Sequence, residues 1–197
     1  DYDVDGCVST SLMVNFLKKI GNKINFYIPN RFDDGYGANI ELIKKLLKKV
    51  KPDLIIMLDC GSSSNEAVNF LKLNNKEIII IDHHEIYPPY PDTKYLINPK
   101  KECDYKEYDY LCSSVLTYFF LDYFIKKNKL QISIEDNLVY VVLATICDVM
   151  PLRSLNRLII KNYLKNFSIK KNYIFKKIYS LKKINKPFEL DDFGFLI

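Results

Sequence analysis

Residues 78–85 read Ile78-Ile79-Ile80-Ile81-Asp82-His83-His84-Glu85. Four consecutive isoleucines, β-branched and apolar toward both faces, suit a strand buried in the middle of a sheet. The polar triplet behind them then emerges at the strand's carboxyl end. Two further short apolar runs, 24–28 and 54–58, precede this one, each separated from the next by a helical pattern, and Asp59 follows the second. Alternating strand and helix predicts an α/β fold, a parallel β-sheet flanked by helices. In an open parallel sheet ligands bind beyond the carboxyl ends of the strands, so Asp59 and Asp82-His83-His84 are expected to converge on one edge.

Helices are predicted at 8–20, 36–50 and 64–73, with Gly21 and Pro52 as stop signals and Ser62 to Ser64 as caps. Residues 88–109, rich in Pro, Lys, Asp and Tyr, read as an irregular connection. Beyond them the pattern is helical at 111–127, 134–147, 154–166 and 173–183, which gives the fold a helical C-terminal portion. With 197 residues, 48% of them apolar, and no internal repeat or low-complexity linker, one well-cored domain is expected.

No run of about 18 apolar residues is present, and the N-terminus lacks the basic-then-apolar layout of a secretory signal, so a cytoplasmic protein away from membranes is expected. The five cysteines are odd in number and widely spaced without a C-x-x-C pair, which predicts reduced thiols. The formal net charge is +5, but between residues 149 and 188 there are eleven Lys/Arg and no Asp/Glu, an excess able to meet an anionic polymer. Arg153, Arg157, Lys161 and Lys165 recur every four residues on one face of a predicted helix. That face serves either as a track for a phosphate backbone or merely as a solvated surface.

The chain opens Asp1-Tyr2-Asp3-Val4-Asp5-Gly6, three alternating carboxylates that repel one another unless a cation is present. A calcium loop starts this way but needs a bidentate Glu at its twelfth position, where this chain has Leu12. A strand-to-helix turn is the alternative. His83 and His84 are the only histidines, and Asp148 follows the apolar stretch Leu143-Ala144-Thr145-Ile146-Cys147. Carboxylates with one or two imidazoles and no thiolate suit Mn²⁺ or Mg²⁺. So many carboxylates exceed what one ion needs, which suggests two ions bridged by a shared Asp, a recurrent arrangement for hydrolysing phosphate esters.

In order and rough spacing, D-Y-D-V-D-G, L-D-C-G-S, I-D-H-H-E and C-D-V-M-P-L resemble the four motifs of the DHH phosphoesterase family. The stretch Pro29-Asn30-Arg31-Phe32-Asp33-Asp34-Gly35-Tyr36-Gly37 and the pair Asn156-Arg157 resemble those of the family branch that degrades single-stranded DNA. The resemblance implies that Asp3, Asp5, Asp59, His83 and Asp148 bind metal, with Asp59 the bridge and Asp1 close by. It implies that His84 contacts the scissile phosphate or helps the second ion while Asp82 orients the histidines. Arg31, Gly35, Tyr36, Gly37, Asn156 and Arg157 are the implied substrate contacts, Arg31 suiting a terminal phosphate through its planar fork.

It further implies one catalytic domain over 1–197, with a first strand missing before Asp1 and a DHHA1 domain and nucleic-acid-binding modules missing after it. The implied activity is removal of nucleotides from the 5′ end of single-stranded DNA in recombination and repair, by a monomer, with a single-strand-binding protein or a helicase as candidate partners. Two alternatives stay open: a phosphodiesterase acting on short oligonucleotides or cyclic dinucleotides, and an inactive scaffold. One departure from the family lies at Cys112-Ser113-Ser114-Val115, where a glycine-containing helix start is usual; different helix packing is expected there, with no ligand affected.

Overall fold

The structure, a computed structural model, describes residues 1–35, 37–169 and 172–195. Three strands, β1 (Leu54–Leu58), β2 (Glu77–Ile81) and β3 (Tyr95–Ile97), form a parallel sheet in the order β1-β2-β3. Around it lie the helices α1 (Val4–Lys19), α2 (Ile40–Lys49), α3 (Asn65–Leu73), α4 (Ser113–Lys127), α5 (Leu138–Cys147), α6 (Ser154–Asn166), α7 (Tyr173–Leu181) and α8 (Asp192–Phe195).

The isoleucine run explains the layering. Side chains alternate across a strand, and Ile78 and Ile80 pack with Ile43 of α2 and Val68 and Leu71 of α3, whereas Ile79 and Ile81 turn to the opposite face and meet α1, α4 and α5. Both faces of β2 are therefore covered, as parallel sheets require. A third apolar cluster ties α5 to the C-terminal helices through Val139, Val142, Ile160, Phe175 and Phe193.

Two strand expectations need correction. Residues 24–28 form no strand: among the described residues nothing pairs with their backbone, and Phe26 is 60% exposed. An apolar run becomes a strand only where a neighbour can take its N–H and C=O groups. Conversely, the connection at 88–109 contains β3 and a 3-10 turn, Cys103–Tyr108. A three-residue strand is too short for its alternation to register.

Helix starts also shift. The first helix begins at Val4 rather than at residue 8, because the Asp3 side chain caps it by accepting the Gly6 N–H at 2.9 Å. The second begins at Ile40 rather than at residue 36, capped by Asn39, whose side chain accepts the Leu42 N–H at 2.8 Å. The Asp3 cap stands beside Asp1 and Asp59, which puts the positive end of α1 where the acids gather.

Candidate metal centre

Asp59 leaves the end of β1 with its backbone N–H still donating to Ile81 O (2.9 Å), and Asp82 leaves β2 donating to Ile97 O (3.0 Å), so the ladder runs one residue past each strand. The Asp1 nitrogen donates to Leu58 O (3.1 Å), which brings the N-terminal acids to the same edge. Gly6 is required here: a Cβ at this position would stand 2.4 Å from Asp1 O. Asp59 adopts a left-handed φ of 59°, a conformation that Asp tolerates better than most residues and that turns its carboxylate into the cluster. Gly61, at φ 113°, lets the next turn lie on Ile80 and Met57.

The result is a convergence of carboxylates on one imidazole. His83 Nε2 lies 3.4 Å from Asp59 Oδ1, 3.4 Å from Asp148 Oδ2 and 3.8 Å from Asp5 Oδ2. Three groups of candidate ligands result, Asp59/His83/His84, Asp5/His83/Asp148 and Asp1/Asp3/Asp59, each with its ligand atoms within 4.8 Å of one another. Asp59 belongs to two of these groups, which makes it the carboxylate placed to be shared.

The buried atoms test whether a cation fits. Both oxygens of Asp59, both ring nitrogens of His83, Asp148 Oδ2 and Asp1 Oδ2 are buried without a hydrogen-bond partner. Buried polar atoms are otherwise almost always paired, and acceptors crowded about 3 Å apart are what an octahedral cation with bonds of about 2.0 to 2.1 Å leaves around itself. Electrostatics agrees. Burial, with Asp5 and Asp3 adding repulsion, pushes the Asp59 carboxyl up to about 9. Burial also raises Asp148, despite His83 opposing it, and lowers His83. Asp148 caps the C-terminus of α5, where the helix dipole is itself negative. Without a cation this cluster can be neutralised only by taking up protons. The donor set of carboxylates and imidazole fits Mn²⁺ or Mg²⁺.

Not every acid is left wanting. Asp82, buried, accepts from the backbone N–H groups of Ser62 (2.9 Å), His83 (2.8 Å) and His84 (3.2 Å), and its Oδ1 lies 2.8 Å from His84 Nδ1. Burial works to raise its pKa, but the hydrogen bonds from His84 and Ser62 outweigh that and hold it well below the usual carboxylate range. An ionised carboxylate only accepts, so His84 Nδ1 carries the hydrogen and the second ring position is Nε2. The same bond raises the His84 pKa against its partial burial.

Asp5 is held differently. Its two oxygens accept the Ser113 and Ser114 N–H groups, at 2.7 and 2.9 Å, from the N-terminus of α4, and Ser114 Oγ donates to Asp5 O at 3.1 Å. The helix start at Cys112 to Val115, where the departure from the family was expected to affect no ligand, is thus the element that holds the Asp5 carboxylate, through backbone N–H groups.

The implied substrate residues fall into three places. Arg31 sits in the turn after Asn30 with its guanidinium 5.7 Å from the Tyr2 ring centroid, beside the acids. Gly35 and Gly37 take left-handed φ values of 74° and 70°, and Tyr36 lies outside the described residues. Asp34 braces this loop by accepting from Tyr27 Oη (2.5 Å), Asn30 N (2.9 Å) and Lys45 Nζ (2.8 Å). Asn156 is buried, its Nδ2 donating to Tyr110 O (2.8 Å) and Pro151 O (3.1 Å), whereas Arg157 is exposed on α6. Arg153 is not part of the helix face: it precedes α6, pairs with Asp109 at 2.7 Å and lies over the Tyr110 ring.

Two site residues escaped the sequence. Asn98, just past β3, donates from Nδ2 to Ser62 Oγ (2.7 Å) and His84 O (2.9 Å), so it and Ser62 form the wall behind Asp82. In the sequence Ser62 reads only as a cap candidate and as the end of L-D-C-G-S, and the one signal for Asn98 is its position at the end of β3, which was not predicted.

An α/β fold with acids and imidazoles gathered at the strand ends is the architecture of the DHH family, to which the chain belongs, the family's N-terminal domain matching residues 1–146. Within it, the chain is similar to the single-stranded-DNA-specific exonuclease RecJ. The RecJ of Bacillus subtilis strain 168 is 34% identical over 161 residues, covering 81% of this chain and 20% of that protein. The Salmonella typhimurium LT2 RecJ is 31% identical over 170 residues, covering 81% and 29%. The crystal structure of exonuclease RecJ bound to manganese superposes with a TM-score of 0.84 at 24% identity, over 100% of this chain and 49% of that one, a likeness of fold. The chain thus spans about a fifth to a third of the length of these curated relatives.

Proposed function

We propose that this chain is the catalytic domain of a divalent-metal-dependent phosphodiesterase that removes nucleotides from the 5′ end of single-stranded DNA. The observation that carries the hydrolytic part is the set of buried, partnerless ligand atoms on Asp59, His83 and Asp148. The similarity to single-stranded-DNA-specific exonucleases supports the polymer, and the 5′ polarity is what the motif resemblance implies. Two Mn²⁺ or Mg²⁺ ions would supply an activated water and charge for the phosphate oxygens. Asp1, Asp3, Asp5, Asp59, His83 and Asp148 would hold them, Asp59 belonging to two of the three candidate ligand groups. Asp82 fixes the His84 tautomer, and His84 presents Nε2 toward the scissile phosphate as proton donor or hydrogen-bond donor.

Arg31 takes a terminal phosphate, with the left-handed Gly35 and Gly37 shaping the loop that carries it. Arg157, with Lys161 and Lys165 along the exposed side of α6, follows the phosphate backbone. Asn156 acts from behind, by holding the main chain at Pro151. The 197 residues form one domain acting as a monomer in cytoplasmic recombination and repair, on strands supplied by a single-strand-binding protein or a helicase. No helix among the described residues is long and apolar enough to cross a membrane.

The test is cleavage of 5′-labelled and 3′-labelled single and double strands with Mn²⁺. Early release of the 5′ label from single strands is expected. Early release of the 3′ label would overturn the polarity, and activity confined to dinucleotides would replace the substrate.

A further inference from the structure

The connection from α5 to α6, immediately after Asp148, is strained at both ends. Val149 has φ 54° and Ser154 has φ 42°. Val149 closes α5 in the position that a glycine usually fills: its N–H donates to Ile146 O (3.0 Å) and the next N–H, of Met150, to Thr145 O (3.1 Å). A β-branched residue with a left-handed φ is a true outlier. Packing does not compensate, because Val149 is 86% exposed.

The connection is nonetheless pinned from behind. Asn156 Nδ2 binds Pro151 O, Arg153 is fixed by Asp109 and the Tyr110 ring, and Leu155 N–H donates to Tyr110 Oη at 3.2 Å. Strain that the surroundings enforce, at a site rather than in a core, points to a use for the side chain. Val149 is an apolar group held in solvent one residue from a candidate metal ligand, with the basic face of α6 beyond it.

Resting on the phosphodiesterase reading above, we propose that Val149 is a substrate-contacting residue that packs on the nucleobase beside the phosphate held at the Asp59/His83/Asp148 cluster. An apolar contact with a base is indifferent to sequence, as an enzyme that degrades a strand stepwise needs. It places the reacting nucleotide without drawing on the cluster's charge.

The test compares the parent protein with Val149→Gly and Val149→Asn, both of which suit a left-handed position. Substrates are a single strand of about 16 nucleotides and the same strand with abasic sugars flanking the first phosphodiester. On the intact strand KM is expected to rise about fivefold in both variants, with kcat within about twofold of the parent. On the abasic strand parent and variants are expected to coincide, and neither variant should melt below the parent. A parental KM in the variants on the intact strand, or an equal rise on both strands, overturns the base contact while leaving the phosphodiesterase reading intact. Failure of the parent to cleave either strand overturns the phosphodiesterase reading and this inference with it.

Discussion

His83 Nε2 and Asp59 Oδ1 face each other across 3.4 Å, and neither atom has a hydrogen-bond partner. A neutral imidazole and a carboxylate free to approach would form a hydrogen bond at about 2.7 to 3.0 Å. Here two strand ends, the left-handed turn at Asp59 and the packing of both residues keep them apart, at a separation that suits two ligands of one cation.

That frustration sets the pH response of the metal-free protein. The folded-state pKa of Asp59, about 9, exceeds the ordinary value of 3.8. The folded protein therefore binds this proton more tightly than the unfolded chain does. The stabilisation is fully present below about pH 4 and is lost as pH rises toward about 9. Melting temperature in EDTA should fall across this window, and Asp59→Asn should flatten the fall while making the metal-free protein about 1 to 3 kcal/mol more stable at neutral pH. A profile unchanged by the substitution would refute the assignment.

The α4 N-terminus should be separable from its helix. Ser113 is the first helical residue of α4, where proline is tolerated, and Cys112 before it is already extended at ψ 166°. Ser113→Pro thus deletes one donor to Asp5 with the helix intact. It should cost about 1.5 to 3 kcal/mol, the value of a hydrogen bond to a charged group, and weaken Mn²⁺ binding about tenfold. Unchanged affinity by calorimetry would show that Asp5 does not depend on this helix.

The wall behind Asp82 offers a finer test. Asn98→Ala removes ties to Ser62 and His84 and should lower turnover about tenfold with metal affinity nearly unchanged. Asp82→Asn removes the largest cause of the raised His84 pKa, so the alkaline limb of a His84-dependent pH–rate profile should move to lower pH. A limb that stays in place would exclude His84 as its source.

The α6 face makes a prediction about salt. Arg157→Ala should weaken binding to all sequences alike and reduce the slope of log affinity against log salt by about 1. Fluorescence anisotropy over a salt series measures this directly, and an unaltered slope would return Arg157 to the solvated surface.

The β2 strand, the helices after it and the convergence of Asp59 and His83 were legible in the sequence, because a buried parallel strand shows as an unbroken apolar run and its carboxyl end marks the ligand edge; Asp148, at the end of α5, joined them through the motif resemblance. What was not legible depended on partners far along the chain. Residues 24–28 have strand composition but, among the described residues, no neighbour to pair with, and β3 has a neighbour but almost no length. The support of Asp5 by Ser113 and Ser114 runs through backbone N–H groups, which leave no trace in residue identity. Asn98 gave only an Asn after an unremarkable tripeptide.

The central claim is that the cluster at the strand ends is a divalent-metal site. Calorimetric titration of the metal-depleted protein with Mn²⁺, beside Asp59→Asn and His83→Ala, tests it most directly. Two bound ions in the parent and a loss of affinity of at least about 100-fold for at least one of them in each variant are predicted. Parental stoichiometry and affinity in both variants would contradict the account.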